Sequence, residues 1–488
     1  MSRVLFASSE AHPLIKTGGL ADVAGSLPRA LHALEQDVRL ILPAYAECKT
    51  RAGKLKPVAS LEVNGQRVSL LESRLPGTQV KTWLVDCPLF FDRPGNPYLD
   101  PDGEVWPDNA QRFALFCQVI SQVSLDQTGL DWQADIVHCN DWQTGLVPAL
   151  LTLAAQRPAT VFTIHNLAYQ GLFSYETFKS LGLPPHFWHH EALEFHHQLS
   201  FIKGGLVFAD RINTVSPTYA REIQTPEFGN GLDGLLRHRK QALSGILNGI
   251  DTDEWNPGSD SHLPQKYNRR SLGKKVINKL ALEKTFNLPE DAERLLIGFI
   301  GRLVEQKGVD IIIQALPELV KLPLKFVLLG SGQREYESAL NKLARQHRKK
   351  IGIRIGYSEQ LAHQIEAGVD TFLMPSRFEP CGLNQLYSLR YGTPPIVRGV
   401  GGLADSVVDA NEETLEDDSA TGVVFHADSA EALLDAVQRT LSLYNDKKSW
   451  KKLQLAGMRQ DFSWRQSAQR YLELYQSARK ANPCPIGL

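Results

Sequence analysis

From residue 296 onward, short apolar runs alternate with stretches of helical periodicity so regularly that few folds can accommodate the chain. The runs fall at 296–300, 325–329, 351–355, 370–374, 395–398 and 421–425. Strands separated by helices return to the same end of a sheet, so they run parallel and their crossovers are right-handed. The first part of the chain repeats the theme less evenly, with strands expected at 3–8, 37–42, 134–139, 160–164 and 211–215 and a helix from Leu20 through Leu34. The fold class is therefore α/β, with two doubly wound domains facing each other across a cleft at the carboxyl ends of their strands. At roughly 150 residues per domain, 488 residues accommodate both. Residues 1–246 are expected to form the first, 247–463 the second, and 464–488 a terminal amphipathic helix and tail.

Irregular segments interrupt this pattern. Alternating runs between 57 and 86, with the Asn64-Gly65 turn signal, suggest a small antiparallel insertion. The polar, turn-rich stretch 255–275 suggests a connector at a domain edge. His186, His189, His190, His196 and His197, set among Trp and Phe, suggest a mobile or surface helical segment. Lys plus Arg total 53 against 54 Asp plus Glu, so no global basic field draws in nucleic acid or an anionic membrane. The six cysteines are scattered without CxxC pairs, which points to free thiols in a reducing cytoplasm. No apolar run reaches the roughly 18 residues of a membrane span, and the N-terminus, broken by Ser8, Ser9 and Glu10, reads as a strand rather than a signal peptide.

Chemistry-bearing residues gather where strands end. Lys16-Thr17-Gly18-Gly19 lies between the first strand and its helix, where backbone N–H groups can face a phosphate; a plain tight turn fits equally well. The loop is neither GxGxxG nor GxxxxGK[ST], so neither a nicotinamide enzyme nor a P-loop ATPase is indicated. Gly301 to Gly308 places Arg302 and Lys307 at the end of the second domain's first strand, suited to a diphosphate, although solvated surface cations look the same. Ser376 to Leu383 sets Glu379 in a neighbouring loop, able to hold sugar hydroxyls or to cap its own helix, with the amides of Gly382 and Leu383 at the helix start. In the first domain His138 to Trp142 and Thr163 to Asn166 also end strands; their histidines and Cys139 lack the spacing of a zinc site. Asp251-Thr252-Asp253 reads as a turn rather than a metal-binding DxD.

In this order along the chain, KTGGLADV, HNLAYQG, SPTYARE, LNGID, GRLVEQKG and SRFEPCGLNQL closely resemble the bacterial glycogen synthases and related plant starch synthases. The resemblance implies two Rossmann-like domains in the glycosyltransferase B arrangement, with a C-terminal helix crossing back to the first. It also implies retaining transfer of glucose from ADP-glucose to the non-reducing 4-hydroxyl of an α-1,4-glucan such as glycogen, with no cofactor or metal. Carried over by position, Lys16, Gly18 and Gly19 bind the nucleotide sugar, Arg302 and Lys307 its phosphates, Glu379 the donor glucose and Tyr357 the base, with Gly382 and Leu383 at the phosphate. His165 matches the histidine whose backbone carbonyl faces the anomeric carbon. Asp141 lies on the acceptor side, with Asp22, Tyr98, Asn166 and Asn248 as weaker assignments.

This sequence departs from the resemblance at three positions. Asn140 stands where His commonly precedes Asp-Trp, Asn384 where Thr often follows EPCGL, and Tyr387 where the broader retaining superfamily carries a second Glu. Glycogen synthases of this type also lack that second Glu. Rival readings are a transferase using UDP-glucose, a phosphorylase, and a non-catalytic glucan-binding protein. A covalent mechanism on Glu379 is disfavoured because no second carboxylate forms the close pair of a retaining glycosidase.

Overall fold

The apolar runs of the second half become strands buried on both faces: in the computed structural model Leu324–Gly330 and Thr371–Met374 are buried throughout. The structure describes residues 1–484. It divides into a first unit, Met1–Gly249 with the chain from Trp464 onward, and a second unit, Ile250–Ser463.

The second unit is built on a six-stranded parallel sheet. Its order is Ile351–Ile355, Leu324–Gly330, Leu295–Ile300, Thr371–Met374, Pro395–Arg398, Val423–Phe425. All six strands coincide with the apolar runs of the sequence, with only their ends adjusted. The chain leaves Leu295–Ile300 toward one edge and returns on its other side at Thr371–Met374, so these neighbours mark the point where the winding reverses. Loops leaving their carboxyl ends diverge and open a crevice there.

Residues 255–275 are not a loose connector. Trp255 is stacked between His363 and Tyr387, with ring centroids 3.8 and 3.7 Å away, while Asp260 and Tyr267 are buried. The Tyr267 hydroxyl donates to the Tyr391 carbonyl at 2.7 Å. The polar composition of this stretch concealed the few side chains that turn inward.

In the first unit the central strand Arg3–Ala7 pairs in parallel with Asp37–Pro43 and Ile136–Asn140. The sheet continues through Ala159–Ile164, Arg211–Thr214 and Leu243–Gly245 on one side and Lys81–Asp86 on the other. Lys56–Val63 and Gln66–Arg74 form the expected hairpin, with Asn64 and Gly65 both at positive φ, but it is no separate insertion. Its second strand pairs with Lys81–Asp86, which itself lies parallel to Asp37–Pro43, so the interval extends the main sheet. The histidine-rich segment is likewise not helical beyond the short turn Pro185–Phe187. His196 and His197, at φ 48° and 63°, make the two-residue turn between Glu194–Phe195 and Gln198–Ser200 of a small antiparallel sheet.

The helix Trp464–Ala481 belongs to the first unit and buries Trp464, Ala468, Tyr471, Tyr475 and Ala478, a stripe at helical spacing. Polar bonds fix its register. Tyr475 OH meets His138 Nδ1 at 2.8 Å, Asn213 Nδ2 donates to Tyr471 OH at 3.1 Å, and Arg211 Nε donates to Ser477 Oγ at 2.8 Å. Replacing Tyr471, fully buried, by alanine leaves a cavity and leaves the Asn213 amide with only its 3.4 Å bond to the Thr163 hydroxyl. The unfolding transition of the first unit is expected to lose about 3–5 kcal/mol, measured by chemical denaturation.

Candidate functional site

In the second unit the two loops at the winding reversal are laced into one piece. Arg377 holds Asp310 through both guanidinium nitrogens at 2.7 and 2.8 Å and donates to the Glu305 carbonyl at 2.7 Å. The Arg377 amide donates to the Gln306 carbonyl at 2.8 Å, and Asn384 Nδ2 reaches the Ile300 carbonyl at 3.0 Å. Gly308 lies at φ 67° with its α-carbon against the Pro375 carbonyl, so both conformation and space exclude a side chain there.

This frame brings Lys307 and Glu379 together. Lys307 Nζ donates to Glu379 Oε2 at 2.5 Å, and Ser376 Oγ donates to the same oxygen at 3.0 Å. The Glu379 side chain is only 9% exposed, yet it does not cap its own helix, since Asn384–Arg390 begins without a side-chain cap. Arg302 is exposed nearby in sequence, its Nη2 3.5 Å from Gln306 Oε1. Gly382, at φ 71°, and Leu383 form the entry to the Asn384 helix. Tyr357, 77% exposed, follows the edge strand Ile351–Ile355 and stands apart from the Lys307 and Glu379 pair in the sheet order. Tyr387, at the position of a second glutamate in the wider superfamily, is stacked on Trp255.

In the first unit the Lys16 loop is organised by an internal anion that sequence reasoning missed. Glu10, 3% exposed, accepts from the Thr17 amide at 2.5 Å, the Gly18 amide at 3.3 Å, the Thr17 hydroxyl and the Tyr98 hydroxyl. The Thr17 and Gly18 amides, expected to face a phosphate, are thus turned to a carboxylate of the chain itself. Burial raises the pKa of Glu10, and these hydrogen bonds oppose it. The signal was an acid directly after a buried strand and before a loop rich in amides. Lys16 pairs with Asp22 at 2.6 Å while remaining largely exposed. A side chain at Gly18 or Gly19 would meet nothing within 4 Å, so the fold leaves open space beside the loop.

A second carboxylate holds the next loop. Asp141, at φ 57°, accepts from the His165 amide at 2.7 Å and the Asn166 amide at 3.4 Å through Oδ1. Burial pushes its pKa up to about 7 against those bonds. His165 Nε2 lies 2.9 Å from Asn140 Oδ1, while Asn140 Nδ2 donates to the Ala7 carbonyl at 2.9 Å. The amide orientation therefore makes Asn140 Oδ1 the acceptor and puts the imidazole proton on Nε2. Burial lowers the pKa of His165 to about 3, so the ring is neutral. Asn248 lies beyond the edge strand Leu243–Gly245, with its buried Oδ1 lacking a hydrogen-bond partner among the described residues.

Two family models match the chain, one within each unit. Residues 3–238 match the family described as starch synthase catalytic domain, and residues 282–454 match glycosyl transferases group 1. Glycogen synthase 1 of Methylococcus capsulatus is 58% identical, covering 98% of this chain and 96% of its own. The chain belongs to the glycogen and starch synthase family. The glycogen synthase of Cellvibrio japonicus is 57% identical, over 97% of this chain and 99% of that protein. A solved structure, the catalytic domain of starch synthase IV from Arabidopsis thaliana bound to ADP and acarbose, aligns with TM-score 0.87 and 33% identity, over 98% of this chain and 99% of that one. The chain is thus a glycosyltransferase with two Rossmann-like units of the glycosyltransferase B class.

Asp141 and the buried histidines give stability opposite pH dependences. With its folded pKa raised to about 7, Asp141 binds more protons folded than unfolded, so its contribution falls as pH rises from about 4 to 7. His138 and His165, lowered by burial to about 3, bind fewer protons folded, so their contribution rises from pH about 3 to 6.5. Asp141→Asn removes the falling term alone. The stability of the first unit, followed by urea denaturation across pH 4–7, is expected to climb more steeply in the variant than in the wild type.

Proposed function

We propose that this glycosyltransferase lengthens an α-1,4-glucan such as glycogen by moving glucose from ADP-glucose to the 4-hydroxyl at the non-reducing end, with retention of configuration and release of ADP. The observation that carries this reading is the Lys307 and Glu379 pair at the winding reversal of the second sheet, in a chain more than half identical to glycogen synthases along nearly its whole length. The relative whose structure contains ADP and acarbose supports a nucleotide and an α-glucan as the ligand classes.

In this reading the second unit holds the donor. Glu379, fixed by Ser376 and Lys307, accepts from the hydroxyls of the donor glucose. Tyr357 offers an exposed ring to the base. As the bond between the anomeric carbon and the phosphate oxygen breaks, negative charge grows on ADP. Arg302, Lys307 and the backbone N–H groups of Gly382 and Leu383 stabilise it. The leaving phosphate takes the proton of the attacking hydroxyl on the face it vacates, so configuration is retained without an enzyme nucleophile. Lys307 and Ser376 also hold the Glu379 carboxylate in place before the donor arrives.

Within the first unit, Lys16 and Gly19 are the candidates for the donor diphosphate, the Gly18 amide being held by Glu10, and His165 and Asn166 are the candidates for the reacting sugar. The neutral His165 ring leaves its backbone carbonyl as the group that faces positive charge at the anomeric carbon. Asp141 and Tyr98 act by holding the His165 and Lys16 loops. Asp22 orients Lys16, and Asn248 offers a buried amide oxygen to the acceptor. No metal or cofactor enters these steps. A cytoplasmic place of action accords with cysteines scattered through the chain without CxxC pairs. Among the described residues no helix is long and apolar enough to cross a membrane.

Nucleotide release with ADP-glucose and UDP-glucose, each with and without glycogen, tests the proposal. Glycogen-dependent release is expected from ADP-glucose. Glu379→Ala is expected to lower kcat by about 100- to 1000-fold with the wild-type unfolding transitions retained. Preference for UDP-glucose, or full activity in the variant, would overturn the donor assignment or the role of Glu379 respectively.

A further inference from the structure

The side chain of His363 is buried, 1% exposed, and only half of its hydrogen-bonding capacity is used. Its Nδ1 lies 2.8 Å from Asp260 Oδ2. That carboxylate also accepts from the Tyr391 hydroxyl at 2.6 Å and from the His262 amide at 2.8 Å. With its other partners both donors, Asp260 faces Nδ1 as an acceptor, which leaves Nε2 as the ring nitrogen available to a ligand. Nε2 is buried without a hydrogen-bond partner. Trp255, stacked 3.8 Å from the ring at an interplanar angle of 11°, prevents it from turning that nitrogen elsewhere.

Two exposed carboxylates stand beside it. Glu359 opens the helix Glu359–Gly368 and shares a face with His363 one turn on. Glu254 comes from the turn after Asp251, whose Oδ1 accepts from the amides of Asp253 and Glu254 and fixes the backbone. Ligand atoms of Glu254, Glu359 and His363 all lie within 4.8 Å of one another. Zinc bonds of about 2.0–2.2 Å need them somewhat closer. Two exposed glutamates can make that adjustment by changing rotamer, while the histidine stays fixed.

We propose that Glu254, Glu359 and His363 form a binding site for a divalent cation of the zinc type, apart from the reaction chemistry. One imidazole and two carboxylates, with a fourth position open to water, suit Zn²⁺ or a neighbouring first-row ion better than Mg²⁺ or Ca²⁺, which favour all-oxygen shells. The Asp260 to His363 bond is the outer-shell contact that fixes the tautomer and orientation of a ligating histidine. A bound ion ties the turn after Asp253 to the start of the helix that follows Tyr357. Its ligands come from segments far apart in sequence, so no motif announces it.

The test uses the full chain, freed of metal by chelation and titrated with Zn²⁺ by isothermal calorimetry. His189, His190 and Glu191 form a second, fully exposed cluster, so the titration is made in a His189→Ala, His190→Ala background. One equivalent of Zn²⁺ is expected to bind there and to raise the unfolding temperature of the second unit. Glu359→Gln, exposed and outside the reaction machinery, is expected to weaken binding about tenfold or more without changing the metal-free unfolding temperature, and Glu254→Gln is expected to weaken binding likewise. Absence of Zn²⁺ binding in the background protein, or affinity unchanged in Glu359→Gln, would overturn the proposal.

Discussion

The contact between Lys307 and Glu379 sets the requirement that the surrounding fold has to meet. A carboxylate with so little exposure needs polar partners, and Lys307 and the Ser376 hydroxyl supply them. Lys307 and Glu379 sit in different loops, so the pair exists only while the loops keep their separation. The sheet supplies the first constraint by ending two adjacent parallel strands where the winding reverses. Arg377 supplies the second through its paired bonds to Asp310, a planar fork that fixes angle as well as distance. Gly308 permits the close approach to Pro375 that a side chain would block.

The first unit solves a related problem with anions of its own. Glu10 and Asp141 each follow a parallel strand, and each gathers backbone amides from a loop that no regular structure satisfies. Both are pushed toward protonation by burial and resisted by the amides they hold. Such carboxylates shape loops at a cost in stability that depends on pH. The exposed Lys16, in contrast, keeps its ammonium at the surface, paired with Asp22. Buried acids set the backbone and an exposed cation faces outward, a division of labour that fits a loop meant to meet an anionic ligand.

What could be read from the sequence follows from the range of each interaction. Buried parallel strands such as Leu324–Gly330 were legible because hydrophobic runs bounded by helices carry their own signal. Arg302, Lys307 and Glu379 were legible as residues at strand ends, and the structure adds the Lys307 contact that neither loop reveals alone. Glu10 was not, because its partners Thr17 and Tyr98 are set by tertiary packing. Trp255 and Asp260 were hidden for the same reason, inside a stretch whose overall polarity suggested a connector. The His196-His197 turn was misread as helical because histidine carries little preference of its own, and two residues at positive φ decide the local geometry.

Asn140 shows how a departure from the family pattern can leave a hydrogen bond in place. Histidine commonly occupies this place, and its loss would appear to remove a titratable group beside His165. The group that His165 needs there is an acceptor for its Nε2 proton, and an amide oxygen provides one without titrating. The orientation of that amide is set by its other end, because Asn140 Nδ2 is held by the Ala7 carbonyl on the adjacent central strand. The His165 tautomer is thereby tied to the backbone of the sheet. In a pocket that already keeps His165 and His138 neutral, a neutral amide performs the positioning with no further ionisable group to desolvate. The substitution conserves the hydrogen bond and discards the charge, which is the part that burial makes expensive.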